Sequence, residues 1–216
     1  MKIAILMEGE TERVFLPYLR EFLSPRLQGK MPRLISNIYD GRIPKQEKLK
    51  RVVEALLRGG NPDADHVIAL TDVYTGSNDF QDAADAKRKM RSWVGPNERF
   101  HPHVAQHDFE AWLLPYWPAI QQLARHNRTA PAGDPESVDH SHPPSYRIKE
   151  IFRTGKGPRH YTKTRDAKRI LQGKDLSVAA AACPELRAFL NTILKLSEGD
   201  PPRSEPRPLG SGGCQS

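Results

Sequence analysis

Cysteine is scarce in this chain: Cys183 and Cys214 are the only two among 216 residues. One precedes a helix-like segment and the other lies in a Gly/Ser-rich tail, so neither a disulfide framework nor a thiolate metal cluster is expected. Long apolar runs are missing as well. No stretch approaches the roughly 18 residues that a membrane-spanning helix needs, and no signal-like apolar block follows a basic start. With a mean hydropathy of -0.64, these absences point to a polar, cytoplasmic protein. The sequence has no Gly-x-x-x-x-Gly-Lys-Ser/Thr loop of the kind that cradles nucleotide phosphates and no internal repeat. What remains is enough chain for one domain of ordinary size with an appendage.

The organising stretch is Ile3-Ala-Ile-Leu-Met-Glu8-Gly-Glu10-Thr-Glu12. An apolar run followed at once by carboxylates reads as a buried strand that presents acids at its carboxyl end, where ligands bind in open α/β sheets. Thr11 could instead cap a helix whose positive end suits Glu10 and Glu12. That reading leaves Glu8 unexplained, because it sits at the strand tip beside Gly9, where backbone or ligand can approach closely.

Further along, Leu34–Tyr39, His66–Thr71 and Phe100–Gln106 are strand-like. Helical patterns lie between them at Val14–Leu23, Leu49–Leu57 and Phe80–Trp93, and a fourth follows from His107. Pro17 interrupts the first helical pattern and predicts a kink or a late helix start. Alternation of this kind implies a mostly parallel sheet with helices on both faces, since parallel strands need crossover connections. The expected organisation is an α/β core over residues 1–126, a loop or linker at 127–144, a basic helical segment at 145–195 and a disordered tail at 196–216. Three strands or strand-helix junctions end in an acid: Glu8, Asp72 and Glu110. On parallel strands these acids share one edge, and crowded carboxylates either bind a hard cation such as Mg²⁺ or have raised pKa values. Asp79 and Glu12 are candidates for further ligands. His101, His103 and His107 lack a thiolate or a fourth ligand at structural-zinc spacing.

The net charge of +7 is confined to one segment. Between Ser145 and Asp175 there are ten Lys/Arg against three acids, and the rest of the chain balances. Concentrated positive charge is the footprint of a polyanion-binding face, although a solvated basic surface has the same composition. Arg147, Lys149, Lys156, Arg159, Tyr161, Arg165 and Lys168 are the candidate nucleic-acid contacts. Trp112 and Trp117 are expected to pack a helix on the sheet.

Three motifs carry a family resemblance: Glu8-Gly-Glu-Thr-Glu12 behind a first strand, Asp72 behind the third, and His107-Asp-Phe-Glu110-Ala-Trp-Leu-Leu114. With them the chain resembles the Toprim-like superfamily, and within it small bacterial proteins of the DUF4276 type related to the overcoming-lysogenization-defect (OLD) nucleases. The similarity continues through Pro143-Pro-Ser-Tyr-Arg, Tyr161-Thr-Lys163 and Cys183-Pro-Glu-Leu-Arg-Ala-Phe-Leu190, and so spans roughly residues 1 to 195. It implies a Toprim fold whose acids bind Mg²⁺ or Mn²⁺ for phosphodiester chemistry on nucleic acid, DNA in preference to RNA. It also implies a partner ATPase of the AAA/ABC type, often in phage defence. Glu8 matches a metal ligand or general base, and Asp72 matches the first acid of an Asp-x-Asp motif. The second acid of that motif is replaced by Tyr74, so Glu110 or Asp79 would have to supply the missing ligand. Lys163 falls where related nucleases carry a lysine that neutralises charge on the cleaved phosphate, although it is also one of ten basic residues on a solvated face. The expected function is therefore a metal-dependent nuclease. The alternative is a non-catalytic module that binds nucleic acid or an ATPase, as the missing acid allows.

Overall fold

The structure, a computed structural model, describes residues 1–59, 63–73, 79–137 and 142–198. Four strands form one parallel sheet: β1 (Lys2–Met7), β2 (Arg33–Ile38), β3 (His66–Asp72) and β4 (Phe100–Ala105), in the order β2-β1-β3-β4. The register pairs Met7 with Leu70 and Asp72 with Ala105. β1, β3 and β4 therefore end at one rim. Helices α1 (Glu10–Leu27), α2 (Gln46–Leu57) and α3 (Ala83–Val94) connect the strands, and α3 is capped where the Asp85 amide donates to the Asp82 carboxylate at 2.7 Å.

Side chains alternate along a strand, so one sheet supports two cores. Ala4, Leu6, Val67 and Ala69 pack under α2 and α3. Ile3, Ile5, Met7, Ile68 and Leu70 face the other way, onto α1 and the C-terminal helices. Those are α4 (Trp117–Ala124), α5 (Pro144–Thr154), α6 (Lys163–Leu171), α7 (Leu176–Ala182) and α8 (Pro184–Glu198). Their apolar residues Ile148, Phe152, Ile170 and Phe189 belong to the same cluster as Phe15 of α1. The basic segment is thus built into the core that covers one sheet face.

Three local expectations change. Of the kink or late start expected at Pro17, the late start does not occur: helix α1 begins at Glu10 and includes both Pro17 and Pro25. Proline costs a backbone hydrogen bond there, but Phe15, Leu16, Leu19, Phe22 and Leu23 are all buried, and packing of an apolar face supplies most of a helix's stability in a protein. Helix α8 runs to Glu198, past the expected end at 195; residues 199–216 lie outside the described part. Within the expected linker, Pro135–Ser137 forms a 3-10 turn that buries Glu136. Its carboxylate accepts the Glu185 amide at 2.8 Å and the Trp112 indole N–H at 3.1 Å. A residue far away in sequence therefore caps the start of α8 and anchors a core tryptophan.

The turn from α5 to α6 docks backbone to backbone on the end of α4. Gly157 N–H donates to Ala124 O at 3.0 Å and Lys156 N–H to Arg125 O at 3.3 Å. A Cβ on Gly155 would overlap the Ala124 carbonyl oxygen, and one on Gly157 would lie 2.5 Å from Leu123 O. Glycine is needed here for close approach. Gly155→Ala is expected to push the turn off α4 and cost about 1–3 kcal/mol, measured as a drop in the urea midpoint; an unchanged midpoint would overturn the account.

Candidate functional site

The carboxyl rim of the sheet gathers the acids. Glu8 follows β1 directly, and Asp72 ends β3. After β4 the chain turns sharply at His107, which is buried with φ of 70°, a left-handed conformation that few non-glycine residues adopt. The turn delivers Asp108 and the 3-10 stretch Phe109–Trp112, which carries Glu110, back to the rim. Trp112 is buried against Phe15, Phe109 and Phe189, and Trp117 is also buried, as expected of packing residues.

Glu8 accepts hydrogen bonds from the Thr71 hydroxyl and the Asp72 backbone N–H. Burial outweighs these bonds and the charges of Arg42 and Lys45, and pushes its pKa up to about 7. Glu8, Thr71 and Asp72 line a small recess together with Arg42, Lys45 and Phe80, with room of about 10 Å³, on the scale of a single water.

Glu110 is fully buried. Its Oε2 lies 3.1 Å from Lys163 Nζ, and its Oε1 accepts the Tyr161 hydroxyl at 3.4 Å. Asp108, 5% exposed, accepts the Ser145 amide at 3.1 Å through Oδ2, so its carboxylate sits at the N-terminus of α5, where negative charge is favoured. Its Oδ1 is buried without a hydrogen-bond partner among the described residues. Burial and then the neighbouring Glu110 raise the Asp108 pKa to about 7, against Ser145 and Lys163, which lower it. Burial disfavours the charge on Lys163, but Glu110, Asp72 and Asp108 outweigh it and hold its pKa above the ordinary value. Lys163 thus feels Asp72 as well as the Asp108/Glu110 pair.

The other expected residues have partners of their own or face outward. Asp79 meets Arg42 and Lys45 through its Oδ2. Tyr161 packs on Phe152, with ring centroids 5.5 Å apart, and its hydroxyl serves Glu110. Burial, with Glu110 adding to it, holds its phenol protonated. Lys149, Lys156, Arg159 and Lys168 are exposed; Arg165 folds onto Asp166 at 2.8 Å, and Arg147 is half-buried. The side chain of Glu12 and Tyr74 lie outside the described residues. Among those described, no three His, Cys, Asp or Glu side chains converge to hold one metal ion. The acids stand as two pairs, which suits a cation such as Mg²⁺ that uses one or two carboxylates and keeps several waters. The unpartnered Asp108 Oδ1 fits the same donor chemistry. Asp108, Thr71, Arg42 and Lys45 escaped the sequence reading. Asp108 had a signal, two residues before Glu110 in the same motif, whereas Arg42 and Lys45 approach only through the path of the β2–α2 loop.

A parallel sheet under helices on both faces, with carboxylates at its carboxyl rim, defines a Toprim-like α/β protein. Residues 7–194 match the family described as "Domain of unknown function (DUF4276)", and the chain belongs to that family. Its fold is that of the solved C-terminal region of the Burkholderia pseudomallei OLD protein. That match has a TM-score of 0.54 at 14% identity over 91% of this chain and 98% of that one. The C-terminal region of the Xanthomonas campestris pv. campestris OLD protein also matches, at 16% identity and a TM-score of 0.49 over 91% and 94%. No curated protein matches.

The raised pKa of Glu8 sets a pH dependence. Unfolded, it releases its proton near 4.5; folded, near 7. Between these values the folded state holds more protons, so this residue's contribution to stability falls as pH rises. Glu8→Gln, which cannot titrate, should gain on wild type by about 1–3 kcal/mol between pH 4.5 and 8 without divalent metal. Urea unfolding across that range tests it, and a gap that does not vary with pH would refute it.

Proposed function

We propose that this chain is a cytoplasmic Mg²⁺- or Mn²⁺-dependent phosphodiesterase that cleaves nucleic acid, DNA in preference to RNA. One observation carries the reading: Glu8, Asp72, Asp108 and Glu110 gather at one sheet rim, and the last three act on a half-exposed Lys163. Burial strengthens their fields by excluding water, and Lys163, 46% exposed, can still reach a substrate.

Held by one or two of these carboxylates and its own waters, a divalent cation would polarise the scissile phosphate and lower the pKa of an attacking water. The side chains divide the remaining work. Glu8, with its pKa near neutrality, is suited to take a proton from that water. Glu110, itself held by the Tyr161 hydroxyl, fixes the Lys163 ammonium, whose charge offsets the negative charge that develops on the phosphate. The exposed Lys149, Lys156, Arg159 and Lys168 supply contacts to neighbouring phosphates. The ATPase partner and a place in phage defence rest on the family resemblance alone. Tyr74, standing where a second acid is expected, supports the other reading: a module that binds nucleic acid or an ATPase without cutting.

Incubating supercoiled plasmid and labelled oligonucleotides with Mg²⁺ or Mn²⁺ separates the two. Cleavage by wild type should fall about 100-fold or more in Glu8→Ala and in Lys163→Met. Cleavage that survives Glu8→Ala would refute this site. Binding without cleavage under either metal would select the non-catalytic module.

A further inference from the structure

A second charged feature lies away from the acids. Between α4 and the end of α6 the surface opens into a cleft of about 530 Å³, within the usual size range of ligand sites. Arg125, Arg169 and Lys174 line it with Gln122 and Gln172, and no acid among the described residues does. Elsewhere some surface cations are neutralised by carboxylates, as Lys2 is by Asp63 and Arg128 by Glu150. Here Arg125 and Lys174 meet no carboxylate among the described residues, and Arg169 reaches Asp166 only at 3.6 Å. The negative end of α4, which would repel an anion, is already used. Gln121 O, Gln122 O and Ala124 O accept N–H groups from His126, Arg125 and Gly157.

The cleft continues a stripe. Arg165, Lys168, Arg169 and Gln172 are exposed at spacings of three and four residues, and so share one side of α6 and its C-terminal edge. From Arg165 to Gln172 is about 10 Å at 1.5 Å per residue, a length over which one DNA strand presents on the order of three phosphates. Lys163 opens the same helix on the buried side, facing Glu110. A row of cations with amide side chains among them, ending in an acid-free cleft, matches successive phosphates better than one small anion.

From this geometry we infer that the Arg125/Arg169/Lys174 cleft is a phosphate subsite that grips the backbone of a nucleic acid strand beyond the acids. The inference rests on the nucleic-acid role proposed above and adds residues to it. It does not depend on cleavage.

The test is fluorescence anisotropy of a labelled 20-bp duplex with the full chain, without divalent metal, over a range of NaCl concentrations. The triple variant Arg125→Gln, Arg169→Gln, Lys174→Gln is compared with Lys48→Gln, Lys50→Gln, Arg51→Gln, which removes the same charge from α2 on the other sheet face. Circular dichroism melting checks that both fold. The cleft variant should bind about 10- to 100-fold more weakly, and its log K against log salt slope should be shallower by two to three, at roughly 0.9 per phosphate. The α2 variant should stay close to wild type. Equal losses in the two variants, or none in the cleft variant, would overturn the inference. So would a cleft variant that loses competition by ATP or inorganic phosphate while holding duplex as before, because the cleft would then serve a small phosphate. If wild type binds as expected yet cuts nothing with any metal, the nuclease reading fails and the subsite stands. If it cuts while the cleft variant binds normally, the reverse holds.

Discussion

Burying carboxylates is the constraint around which this fold is arranged. A parallel sheet brings the carboxyl ends of β1, β3 and β4 to one rim, and the sequence places an acid at or just beyond each. Glu8, Asp108 and Glu110 are nearly or wholly removed from water there. Charged groups so placed need partners, or they take up protons. Both remedies are present: the pKa values of Glu8 and Asp108 rise toward neutrality, while Glu110 draws in Lys163 and Tyr161 from more than fifty residues along the chain.

That demand explains why the C-terminal helices are welded to the sheet rather than appended to it. Lys163 reaches Glu110 only if the start of α6 is held in place, and three contacts hold it. The α5–α6 turn lies flat on the end of α4 through backbone hydrogen bonds that only glycine permits. Asp166, fully buried, accepts the Thr162 amide at 2.7 Å. The Tyr18 hydroxyl of α1 donates to Lys168 O at 2.9 Å. Beneath them Phe152, Ile170 and Phe189 share a core with Ile3 and Phe15, so polar geometry at the rim and apolar packing below it support one another.

The basic character of the chain reads differently once it is folded. Some of the positive charge in the segment from 145 to 175 is shared with buried acids, Lys163 with Glu110 and Arg165 with Asp166, each cation staying about half exposed. The rest is outward, including the stripe of α6 that ends in the acid-free cleft. Composition reported one excess of charge. The fold divides it between compensating buried acids and presenting an open face.

From its sequence alone the chain determined the alternation of strands and helices, the parallel sheet, and Glu8, Asp72 and Glu110 at strand ends. These follow from local periodicity and from the rule that parallel strands all finish at one edge. The sequence left open whether α1 would begin before Pro17, because the stabilising contacts of Phe15, Leu19 and Phe22 are with distant residues. It could not show that Asp79 would turn to Arg42 and Lys45, or that Tyr161 would turn to Glu110. Nor could it show that Glu136, in a stretch without periodicity, would cap α8. Each of these depends on which remote backbone or charge comes within a few ångströms, and that distance exists only after the chain has packed.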